Sequence, residues 1–127
     1  MDSNLYYLLK SYADTEEFPL VMCDMDYRIK YINPAAEEAY SKYGGKDLTG
    51  RLLTSFIDEE AKSKVDMVIE WFKEDVTHNK LLAVHDSNNA KDIYMCALRG
   101  NDGKLIGFCS RHMSRRYDES TPYTTID

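Results

Sequence analysis

The sequence predicts an α+β domain, a single sheet with its helices gathered on one face, and three observations predict it. Ala61, Val65, Val68, Ile69, Phe72 and Val76 recur at helical spacing over about four turns. Leu81 to His85, Ile93 to Leu98 and Leu105 to Ser110 have strand texture. Ser87-Asn88-Asn89 and Gly100-Asn101-Asp102-Gly103 part them with turn chemistry, so the three runs form an antiparallel meander. Two shorter apolar runs, near 18–23 and 28–32, flank the acidic turn Asp24-Met25-Asp26-Tyr27 and read as a hairpin. Helix, two strands, helices, three strands is most economically one sheet carrying its helices on one side.

The elements follow in order. A helix of about three turns opens the chain, with Asp2 or Ser3 as its cap and Leu5, Leu8, Leu9 and Tyr12 on one face. It is too short to stand alone and must lie on the sheet or on a partner chain. Asn33-Pro34 stops the second strand and starts a helix, because Asn caps well and Pro at the first helical position has no amide hydrogen to satisfy. That helix is expected over 34–43, closed by a left-handed residue at Gly44-Gly45. Residues 48–57 read as irregular, and Asp58 is placed to cap the long helix. This divides the chain into a helix and connector (1–16), one domain (17–113) and a polar tail (114–127).

Composition narrows the function. The 127 residues are 43% hydrophobic and 30% charged, which is ordinary for one globular domain with a core of its own. A net charge of −6 repels phosphate backbones, and no basic stripe offsets it, so nucleic acid is not an expected partner. No apolar run approaches the roughly 20 residues of a membrane span, and the N-terminus lacks the pattern of a secretory signal. Cys23, Cys96 and Cys109 have neither CxxC nor metal spacing and read as reduced thiols, small apolar residues of the sheet. A cytoplasmic location with no membrane partner follows as the expectation.

Three stretches at the joints carry a more specific pattern. Asp26-Tyr27-Arg28-Ile29-Lys30-Tyr31-Ile32-Asn33-Pro34-Ala35-Ala36-Glu37 is followed by Lys46-Asp47-Leu48-Thr49-Gly50-Arg51, and later by Ala97-Leu98-Arg99-Gly100-Asn101-Asp102-Gly103-Lys104-Leu105-Ile106-Gly107. Together, in this order, they resemble the PAS domain family over roughly residues 17–113. The resemblance implies a five-stranded antiparallel sheet, strands at 18–24, 28–33, 80–86, 91–99 and 104–113, in spatial order 2-1-5-4-3. It also implies a pocket between the inner sheet face and the helices near 34–43 and 60–77. The family's Asp-Ile-Thr signature after the last strand is missing; His112-Met113-Ser114-Arg115-Arg116-Tyr117 stands there. Met1 and the N-terminal helix favour a free-standing sensor over a piece of a longer chain.

The chemistry is that of binding. A flavin photosensor of this superfamily carries Cys in an Asn-Cys-Arg segment, where this chain has Gly50-Arg51-Leu52-Leu53-Thr54-Ser55-Phe56. Haem requires an axial ligand. His78 is the nearest candidate, but beside Asn79 and Lys80 it reads as solvated. Neither flavin nor haem is expected, nor a metal. Ser41, Ser55 and Ser110 lack a glycine elbow, and the acidic groups Asp58-Glu59-Glu60 and Glu70, Glu74 and Asp75 read as solvated helix surface, so no enzyme is expected. On the last strand Phe108, Ser110 and His112 share one face. His112 reads as an exposed strand-end residue, or as a group that hydrogen-bonds a ligand.

The expected function is a sensor that binds a small organic ligand non-covalently and relays the change to a downstream protein. Tyr40, Tyr43, Val68, Phe72, Met95, Phe108 and His112 are the expected lining. The alternative is a ligand-free interaction module whose pocket is filled by its own side chains; six Met and ten Tyr favour it, since empty cavities are costly. A homodimer through Leu5, Leu8, Leu9 and Tyr12 is expected, the rival being a helix folded back across the outer sheet face.

Overall fold

A computed structural model describes residues 3–115. Asp2, and the tail from Arg116 to Asp127, lie outside the described residues. The chain runs α1 (Ser3–Asp14), β1 (Leu20–Asp24), β2 (Ile29–Ile32), α2 (Pro34–Ala39), α3 (Glu59–Glu74), β3 (Lys80–Asp86), β4 (Lys91–Arg99) and β5 (Leu105–Ser114), with three single 3₁₀ turns between α2 and α3. The five strands form one sheet in the order β2-β1-β5-β4-β3, every pair antiparallel.

Alternation divides the sheet into two faces. Val21, Cys23, Ile29 and Ile32 join Met95 and Phe108 in the core on the inner face, against Val68, Ile69 and Phe72 of α3. Met22, Tyr31, Tyr94, Cys96, Cys109 and Arg111 lie in the register of the opposite face.

Asn33 ties the hairpin to α2. It is fully buried, and its Oδ1 accepts from Ala36 N at 2.9 Å and from Leu20 N at 3.0 Å, while Nδ2 donates to Phe18 O at 3.0 Å. One side chain thus caps the helix and holds the start of β1. Asp58 accepts from Ala61 N at 2.8 Å to open α3. At Gly107 a Cβ would come within 2.3 Å of the Cys23 carbonyl oxygen, so only glycine lets β5 approach β1 this closely.

Three local expectations are corrected. The second helix stops at Ala39, and residues 41–43 form a 3₁₀ turn, because the chain tightens toward Gly44 (φ 125°) and Gly45 (φ 53°). α3 ends at Glu74, so Val76 falls beyond the apolar stripe and is exposed. His78 is half-buried, not solvated: its ring stacks on Trp71 at 4.0 Å, and Nδ1 hydrogen-bonds the Trp71 carbonyl at 2.7 Å.

Candidate functional site

The inner face and α3 do not meet along their full length. The second half of α3 sinks Val68, Ile69 and Phe72 into the core, while the first half stands off and leaves a cavity of about 240 Å³. Ala61, Lys64 and Val65 of α3 form one wall, and Leu53, Phe56 and Ile57 of the preceding segment form another. Val21 and Cys23 of β1 contribute to the floor, with Ala83, Val84, Ile93 and Met95 from β3 and β4. Phe108, Ser110 and His112 project into it from β5, as the alternation of the last strand predicts.

Tyr40, the residue that ends α2, closes the near side. Its ring lies 5.7 Å from Phe56, and its hydroxyl is hydrogen-bonded to His112 Nε2 at 3.1 Å. Tyr27 packs edge-on against Phe108 at 5.4 Å, and its hydroxyl donates to Asp66 of α3. Burial sets the protonation states. It pushes the Tyr40 phenol above its ordinary value and lowers His112, assisted there by Lys91, so both are neutral near neutral pH. Burial, with Asp24 nearby, pushes the Cys23 thiol up to about 12, leaving it a protonated apolar wall group. The wall is largely apolar, and its polar members are Lys64, Ser110 and the half-buried Tyr40–His112 pair.

Of the seven residues expected to line the site, the structure brings Tyr40, Met95, Phe108 and His112 together around the cavity. His112 is half-buried and hydrogen-bonded rather than an exposed strand end. Tyr43, Val68 and Phe72 lie elsewhere. The 3₁₀ turn swings Tyr43 to the surface, 43% exposed, against Phe56 and under Lys42. Val68 and Phe72 sit one and two turns too far along α3, where helix and sheet are in contact. The residues that replace them, Ala61 and Val65, belong to the same apolar stripe. Phe56 and Ile57 come from the irregular segment, where periodicity carries no signal.

Leu5, Leu8, Leu9 and Tyr12 of α1 are all exposed. The helix leans on the outer face of the hairpin through the Tyr31 hydroxyl, which donates to Asp14, and through Lys10, 5.9 Å from the Tyr31 ring. None of its residues is buried. Among the described residues no helix is long and apolar enough to cross a membrane.

No family model matches the sequence. The search of curated proteins likewise found no match. Solved structures do match in shape. The PAS domain of a protein from Colwellia psychrerythraea superposes with a TM-score of 0.64 at 11% identity, over 87% of this chain and 96% of that one. A sensory box sensor histidine kinase from Vibrio cholerae gives 0.58 at 15% identity, over 87% and 91%. An RNA-binding light-oxygen-voltage receptor gives 0.61 at 14% identity; 90% of this chain is covered, but the chain spans only 33% of that receptor. A further light-oxygen-voltage structure among the matches concerns a flavin analogue. What this chain shares with all of them is the fold.

Proposed function

We propose that this chain, which has the PAS fold, is a sensor module that binds a small, largely apolar organic molecule between α3 and the inner sheet face. The observation that carries the reading is the cavity itself. About 240 Å³ is several times the share of a water molecule, and a wall this apolar gives water few partners. Apolar burial would supply the affinity, and the Tyr40–His112 pair would orient one polar group of the ligand. Occupancy would be felt at Tyr40, where α2 ends, and along β5, which leads out of the domain. A downstream protein would read that change, and a homodimer through α1 completes the proposal.

The light-oxygen-voltage likenesses set flavin beside the colourless ligand. Two features favour the colourless one: segment 50–56 has no cysteine, and the thiol that does face the cavity, Cys23, is held protonated on β1. The residues present do not suit the covalent photochemistry, and no step here runs through it. Native mass spectrometry and an absorbance spectrum of freshly purified protein test the proposal. A co-purifying mass with no visible band supports it; a haem or flavin band overturns the colourless reading.

One observation favours a second reading. The cavity is smaller than the roughly 300–1,000 Å³ usual for ligand pockets, and Tyr40, Phe56 and Met95 already fill part of the space. A self-filled interaction module would have these dimensions. A thermal-shift screen of apolar acids, alcohols and aromatics separates the two, because only a binding cavity yields a concentration-dependent rise in Tm.

A further inference from the structure

We propose that Cys96 and Cys109 form a reversible disulfide across the outer face of the sheet, a redox modification site separate from the cavity. The two residues are direct partners in the antiparallel register of β4 and β5. Such partners have Cα atoms about 4.5–5.5 Å apart, inside the roughly 4.4–6.8 Å that a disulfide spans. The bond therefore needs a rotamer change rather than a shift of the backbone. Cys23 cannot compete, since it lies on the inner face.

The two sulfurs are not equivalent. Cys96 is half-exposed and Cys109 is buried, so one is open to an oxidant and the other is poised behind it. Arg111 and Lys80 stand beside Cys96 on the same face, Lys80 directly opposite it on β3. Arg111 has no carboxylate partner among the described residues, and its Nε is buried with no hydrogen bond. Asp92, also on this face, is already held by His85 at 2.9 Å and Arg115 at 3.1 Å. The positive charges of Arg111 and Lys80 beside Cys96 favour its thiolate form. The neighbouring Cys109 thiol, then Arg111 and Lys80, draw the Cys96 thiol below its ordinary value, against the burial that raises it. Cys109, facing Cys96 and buried, is pushed up.

With hydrogen peroxide as the oxidant, the Cys96 thiolate attacks one oxygen, the O–O bond breaks, and a sulfenic acid and hydroxide form. Loss of the negative sulfur removes what held the Cys109 proton, which passes to hydroxide. The Cys109 sulfur then attacks Cys96, the S–S bond forms, and the sulfenic oxygen leaves with a proton as water. Two thiols and one peroxide become one disulfide and two waters; a small thiol such as glutathione reverses it by exchange.

Trypsin offers a direct test on the full-length protein, since cleavage at Lys91, Arg99, Lys104 and Arg111 places Cys96 in peptide 92–99 and Cys109 in 105–111. After mild peroxide, digestion without reductant should give these two peptides joined, and the intact chain should be lighter by two hydrogens. Cys23 should remain free to alkylate once the protein is unfolded, and Cys96→Ser should abolish the joined peptide. Three free thiols, a Cys96 sulfinic acid with no joined peptide, or a linkage between two chains would each overturn the proposal. The wild-type digest decides the matter even if a cysteine variant folds poorly.

Discussion

His112 and Tyr40 make a polar contact in a largely apolar wall, and its energetics can be measured. Each is half-buried, and they meet at 3.1 Å. Removing either leaves the other without its partner, so Tyr40→Phe and His112→Gln should each destabilise the fold, and a double-mutant cycle by urea denaturation should return a coupling of about 1 kcal/mol. The pH dependence has a definite sign. Burial lowers the folded His112 below its ordinary value of 6.5, so just below that value the unfolded chain binds more protons than the folded one. Stability therefore rises with pH through this window and falls on acidification from about 6.5 until the folded value is passed. In His112→Gln that part of the slope should vanish, leaving only what the other titrating groups contribute. An unchanged slope would mean that His112 is not neutral in the fold. A bound ligand that uses this pair should shift the same window, which links the stability measurement to the proposed site.

At the scale of elements, Arg99 does for the end of α3 what Asp58 does for its start. The last turn of a helix leaves carbonyls without partners. From β4 the Arg99 guanidinium donates to Phe72 O at 2.8 Å, His78 O at 3.1 Å and Asp75 O at 3.3 Å, and its Nε donates to Asn79 Oδ1 at 2.8 Å. It fastens the helix to the sheet at the end opposite the cavity, where the positive charge also suits the negative end of the helix dipole. Arg99→Met should cost about 2–3 kcal/mol, seen as a lower urea midpoint, because charged hydrogen bonds are lost and carbonyls are left unpaired. Asp58 was legible in the sequence and Arg99 was not, and the reason is distance. A cap lies within a few residues of what it satisfies, as Asn33 does for α2, whereas Arg99 acts across more than twenty residues. The same limit explains the site. The alternation of β5 is a local pattern, and it put Phe108, Ser110 and His112 on one face, where all three border the cavity. Which turn of α3 borders the cavity depends on an aperiodic segment that brings in Phe56 and Ile57, so Val68 and Phe72 were expected where Ala61 and Val65 are found.

For the molecule as a whole the open matter is α1. Helices of this length are marginal in water without a surface to lie on. Here Asp14 and Lys10 meet Tyr31 of the sheet and Tyr6, Leu9 and Ala13 line a groove with Met22 and Tyr31, while Leu8 and Tyr12 are 67% and 76% exposed. The exposed Leu8 and Tyr12 surface is what the proposed isologous dimer would cover, each α1 supplying the lid for the other. Leu8→Glu tests this cleanly, since Leu8 buries nothing within its own chain and the variant should keep the folded spectrum of the parent. Light scattering at tens of micromolar should give the parent twice the mass of one chain and the variant a single mass, because the substitution sets two like charges near the axis. A parent chain that already runs as a monomer would defeat the dimer. Its α1 would then have to be covered by a different protein, and the signal path would leave through that partner rather than through a second copy.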